Sequence, residues 1–131
     1  MLIAKEMIES LDFKYLFSYL FHMYMTIAES SEFSRQAQQL LTEEEVDELI
    51  EFLAIHPQAG AIMQGTGGVR KLRWAREGKG KSGGTRVIYY FHNENIPLFL
   101  LTIYRKGQKE NLTKSERNKL AKLVKVLVET Y

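Results

Sequence analysis

Apolar positions recur along this chain with two different periods. From Thr42 to Pro57 the apolar residues Val46, Leu49, Ile50 and Leu53 fall at helical spacing. They form one stripe on a segment otherwise covered by Glu43, Glu44, Asp47, Glu48 and Glu51, the pattern of a helix with one buried face. Thr42 and Glu45 supply a Thr-x-x-Glu capping box at its start, and Pro57 ends it. A shorter helix is predicted over Ser31 to Leu40 and a short strand over Met23 to Ala28. After the glycine-bearing loop Gly60 to Gly68 the period changes to two. Val69 to Arg76 alternates, with Leu72 and Trp74 on one side and Lys71 and Arg73 on the other. Glu77 to Gly84 is a glycine-rich basic connection. Arg86 to His92 is rich in β-branched and aromatic residues and reads as a strand. Turn residues at Asn93 to Asn95 lead to a last strand, Pro97 to Lys106, with Leu98, Leu100, Thr102, Tyr104 and Lys106 on one face. A second capping box, Thr113 and Glu116, opens a final helix. Its apolar face is Ala121, Val124, Leu127 and Val128, and its basic face Lys114, Lys119, Lys122 and Lys125.

The order strand, helix, helix, three strands, helix predicts an α+β domain. Three strands on short connections make an antiparallel meander, joined by the N-terminal strand. The helices are expected to cover one face of the sheet and close the core, which gives two layers. The other sheet face then carries Lys71, Arg73, Tyr104 and Lys106 near its rim.

Residues 1–22 stand apart from this domain, which spans 23–131. Ile3, Met7, Ile8, Leu11 and Tyr15 have helical spacing and lead into an aromatic run. Two explanations stand side by side: an added helix, or a start codon placed upstream of a working chain that begins at Met23 or Met25.

Composition removes several classes. The 131 residues suit one domain, and the absence of cysteine excludes disulfides, thiol catalysis and thiolate metal sites. It also fits a reducing cytoplasm. The uncharged stretch Tyr15 to Ala28 is shorter than the roughly 20 apolar residues a membrane helix needs. Glu6, Glu9 and Asp12 break the pattern of a secretory signal. The net charge of +2 conceals a strong asymmetry. Residues 1–66 hold three Lys/Arg against eleven Asp/Glu, whereas residues 67–131 hold fifteen against five. The second half therefore suits an anionic partner, nucleic acid above all.

Gly78, Gly80 and Gly83 match G-x-G-x-x-G, but a dinucleotide site needs a helix after the glycines, and here a strand follows. Gly80-Lys81-Ser82 fails as a phosphate loop because Ala75 stands where the first glycine belongs. His22, His56 and His92 share no metal-ligand spacing, no carboxylate pair suggests acid–base chemistry, and no cofactor is implied. Trp74 and Tyr89 alternate with apolar neighbours and read as core. Tyr104 is the aromatic placed to stack on a base.

The informative cluster is basic. Arg70, Lys71, Arg73, Arg76, Lys79, Lys81 and Arg86 crowd one short segment in which Glu77 is the sole acid. RNA can be cut without metal, because its 2′-hydroxyl attacks the neighbouring phosphate and needs only a base, an acid and cations that stabilise the phosphorane. Arginine serves the last role, since it stays charged and offers paired donors. Phosphate binding without chemistry fits the same residues equally well.

The segment "VRKLRWAREGKGKSGGTRVIYY", followed by "LFLLTIYRKGQKENLT", resembles the HigB-like branch of the RelE toxin superfamily from about Met25 onward. "FSRQAQQLLTEEEVDELIEFLAIHP" fits the same pattern. The resemblance implies a RelE-like fold and a toxin that cuts messenger RNA in the ribosome, held in check by an antitoxin, one with a helix-turn-helix domain. It implies catalytic roles for Lys71, Arg73, Arg86 and Lys106 and a basic contact from Lys109, while the basic cluster itself offers Arg70, Arg76, Lys79 and Lys81, with Tyr104, as the candidates for RNA binding. The family's C-terminal tyrosine has no clear equivalent in "ENLTKSE", which leaves the general acid open. The alternatives are a ParE-like, non-enzymatic inhibitor of gyrase and an RNA-binding module without catalysis.

Overall fold

A computed structural model describes residues 25–74, 84–108 and 111–131. The elements in chain order are β1 (Ile27–Glu29), α1 (Ser31–Leu40), α2 (Glu43–Ile55), β2 (Ala61–Ile62), β3 (Arg70–Trp74), β4 (Thr85–Tyr90), β5 (Leu98–Arg105) and α3 (Lys114–Thr130). The strands make one sheet in the order β1-β5-β4-β3-β2. β1 runs parallel to β5, and the other neighbours are antiparallel. The α+β class and the meander of β3, β4 and β5 are as the sequence predicts. β2 is an addition: part of the glycine-bearing loop pairs through Ala61 with Lys71 and Ile62 with Arg70.

Local chemistry sets the helix starts. Both capping boxes form, with Thr42 and Thr113 each accepting from the backbone of Glu45 and Glu116 while those side chains bond back. Each cap contributes about 1 kcal/mol. Ser30 caps α1 by accepting from the Phe33 N–H at 3.0 Å, and its hydroxyl donates to the Leu101 carbonyl at 2.7 Å. One side chain thus starts a helix and ties it to β5.

Both faces of the sheet are packed. Phe33, Ala37 and Leu40 of α1 and Leu49 and Leu53 of α2 meet Val87, Tyr89, Leu98, Leu100 and Ile103, with Leu72 and Trp74 against them. On the opposite face Ile88, Tyr90, Phe99, Leu101 and Tyr104 meet Val124, with Leu120 and Leu127 alongside. α1 and α2 form the expected second layer, but α3 packs on the opposite face rather than beside them, because its apolar stripe meets the second apolar face of β4 and β5.

A β-bulge decides which side of β5 faces which helix. Ile88 opposes Thr102 and Tyr89 opposes Leu100, so Leu101 is an extra residue. Simple alternation puts Leu98, Leu100, Thr102 and Tyr104 on one face. The bulge inverts that parity: Leu98 and Leu100 join the α1/α2 core, and Tyr104 lies with α3.

Candidate phosphate-binding site

The strand register builds the site. Arg73 opposes Arg86, and Arg86 opposes Tyr104. Opposed residues share a face and have Cα atoms about 4.5–5.5 Å apart, so two guanidinium groups and a phenol form one row across β3, β4 and β5. Two residues further along the strands, Lys71 opposes Ile88, which opposes Thr102. This second row adds a cation to the same face. Arg73 is exposed and Lys71 half-buried, whereas Arg86 is only 7% exposed and Tyr104 8%. The Arg86 Nη1 donates to the Thr85 carbonyl at 3.4 Å. A guanidinium held this deep in a sheet presents its charge in a fixed direction, and its planar fork suits a phosphate.

The remaining sequence candidates divide. Lys106 is exposed in the turn after β5, and its N–H donates to the Gly84 carbonyl at 3.3 Å. That contact draws the end of β5 to the residue that leads into β4. Arg70 lies on the opposite face, since its partner Tyr89 belongs to the α1/α2 core. Its Nη1 donates to the Gln58 and Gly60 carbonyls at 3.1 and 2.8 Å, and its buried Nε has no hydrogen-bond partner. Arg76, Lys79, Lys81 and Lys109, like residues 1–22, lie outside the described residues.

Trp74 packs against Phe52 with ring centroids 5.4 Å apart, as a core residue should. Tyr89 is fully buried; its hydroxyl donates to the Pro57 carbonyl at 2.9 Å and accepts from the Gly60 N–H at 2.8 Å. His92 sits 3.0 Å from the Tyr90 hydroxyl through Nδ1. Among the described residues no three His, Asp or Glu side chains gather as a metal-binding group.

One cation escaped the sequence reading. Arg117 is partly buried in the first turns of α3, and its Nε has no hydrogen-bond partner. The signal was available: Arg117 precedes Leu120, Ala121 and Val124 by three, four and seven residues, which places it on the inward arc of the helix. A cleft of about 440 Å³ at the end of α2, lined by Phe52, Ile55, His56, Pro57, Gln58 and Ala59, belongs to the helix facing the other side of the sheet.

Fold and site together define a class: a small α+β protein whose mostly antiparallel sheet carries two arginines and a tyrosine in one row on one face. The model of the family described as "RelE toxin of RelE / RelB toxin-antitoxin system" matches residues 25–131, and the chain belongs to the RelE toxin family. Among solved structures, the free E. coli toxin RelE, in a form with two arginines changed to alanine, is similar with a TM-score of 0.53 at 17% identity. The match covers 74% of this chain and 97% of that one. At that identity the likeness shows the fold. Membership makes this chain a toxin of a toxin–antitoxin system, with an antitoxin as its partner. No helix among the described residues is long and apolar enough to cross a membrane.

Proposed function

We propose that this toxin is a cytoplasmic endoribonuclease that cuts messenger RNA on the ribosome, and that it belongs to the HigB-like branch to which its basic segment is similar. The observation that carries the reading is the row Arg73–Arg86–Tyr104 with Lys71 beside it on one sheet face. In the proposed reaction a base removes the proton from the 2′-hydroxyl, and the 2′-oxygen attacks the adjacent phosphorus. The bond from phosphorus to the 5′-oxygen breaks, and a proton passes to that oxygen. The products are a 2′,3′-cyclic phosphate upstream and a 5′-hydroxyl downstream. Arg86 and Arg73 stabilise the negative charge that grows on the phosphorane. Lys71 and Lys106 add to that field, and Tyr104, buried beside Arg86, is proposed to pass a proton to the leaving oxygen. Arg76, Lys79, Lys81 and Lys109 are proposed to bind phosphates of the message. The ribosome supplies what the small site lacks, a message held in one conformation.

Mapping of RNA 5′ ends after induction in growing cells tests the reading. Cuts in frame with translated codons support it. Intact messages with arrested replication point instead to gyrase. We also propose that the antitoxin carries a helix-turn-helix domain; co-expression of the protein encoded beside this one should restore growth.

A further inference from the structure

We propose that the solvent face of α3 is a docking ridge for the phosphate backbone of folded RNA. This rests on the ribosomal reading and extends it from the cleaved phosphate to the surface that holds the protein in place. α3 lies on the same sheet face as the arginine row, packed through Leu120, Val124 and Leu127. Its other side exposes Lys114, Lys119, Lys122 and Lys125. The last three follow at intervals of three residues, each step advancing about 4.5 Å along the axis. Like charges at this spacing destabilise a helix by a few tenths of a kcal/mol per pair, and an anionic partner relieves that repulsion. Carboxylates on the helix offset it only in part: Glu116 lies three residues before Lys119 and Glu129 four after Lys125, but Lys122, at the centre, has no acid three or four residues away.

The distribution over the whole molecule gives the ridge a direction. α2, on the opposite side of the sheet, exposes Glu43, Glu44, Asp47, Glu48 and Glu51. A surface shaped for solubility alone intersperses its signs; here they are segregated, so a polyanion is met by α3 and the arginine row. Lysines are compact charges on flexible stems, suited to backbone contact that ignores sequence.

The test changes Lys119→Gln, Lys122→Gln and Lys125→Gln together in the full chain. It measures binding to an RNA duplex of about 20 base pairs and to small ribosomal subunits across a salt series. Duplex affinity should fall by at least about tenfold near 100 mM salt, and the slope of log affinity against log salt should become shallower by about 2–3. Arginine at the three positions should restore both, and the thermal midpoint should not fall in either variant, the glutamines relieving the repulsion of the lysines. Unchanged duplex affinity and slope in the glutamine variant would overturn the ridge. So would unchanged RNA binding with loss of antitoxin binding, which would make this face a protein interface. A chain that binds duplex through the ridge but cuts no ribosome-bound message leaves the ridge standing and removes only the nuclease reading.

Discussion

Arg86, the centre of the proposed site, sits inside the sheet. A rim arginine can be removed at little cost to the fold, but one that is 7% exposed packs its stem, and Arg86→Ala would mix lost chemistry with lost packing. Cleaner tests lie beside it. Arg73→Ala removes an exposed cation from the same row, and we expect toxicity to fall steeply while stability moves by less than about 0.5 kcal/mol. Growth assays paired with thermal melts check both parts, and full toxicity would place the active face elsewhere. Tyr89 gives the opposite outcome. Its buried hydroxyl bridges Pro57 and Gly60, so Tyr89→Phe should cost about 2 kcal/mol by leaving buried backbone groups unsatisfied. Burial also raises the Tyr89 pKa, against the opposing effects of the Gly60 hydrogen bond and nearby Arg70. A raised folded-state value means that this contribution is complete below the unfolded pKa of about 10 and is lost as pH climbs through the folded one. Alkaline unfolding should therefore be less steep in Tyr89→Phe than in the parent, as pH-dependent melts would show.

At the scale of elements, the features readable in the sequence were those set by neighbours in the chain. Both threonine capping boxes, the Val46–Leu53 stripe and the alternation of Leu72 and Trp74 against Lys71 and Arg73 are local patterns, and each recurs in the fold. What escaped depends on distant partners. The bulge at Leu101 exists only as a mismatch between β4 and β5, yet it turns Tyr104 toward Arg86. β2 is two residues long and forms because Arg70 and Lys71 lie beside it. The cationic cluster was legible as composition; its division into a row on one face and Arg70 on the other came from strand pairing. Gly60 shows how tightly the approach to β2 is held. A Cβ there would lie 2.8 Å from the Tyr89 ring and 3.1 Å from the Lys71 carbonyl carbon. Gly60→Ala should destabilise by about 1–3 kcal/mol. Gly107→Ala, where a Cβ meets nothing within 4 Å, should change stability by less than about 0.5 kcal/mol. Denaturant titrations of the two variants give the comparison.

At the scale of the molecule, the charges are segregated by side. The acidic α2 faces one way, while the arginine row and the lysines of α3 face the other. We propose that residues 1–22 stand outside this arrangement, because the family match begins at residue 25 and Met25 is already anchored by its N–H to the Ala54 carbonyl at 3.0 Å. A chain starting at Met23 should fold and remain toxic; loss of folded protein on circular dichroism would assign the segment to the core. In the proposed function this basic face cuts RNA through attack of the RNA's own 2′-hydroxyl on the adjacent phosphate. The most direct measurement is the chemistry of the ends made when purified toxin acts on ribosomes translating a defined message. The account predicts a 5′-hydroxyl on the downstream fragment and a cyclic or 3′ phosphate on the upstream one, with cuts in frame. A 5′-phosphate on the downstream fragment would require water as the attacking group and would contradict the mechanism.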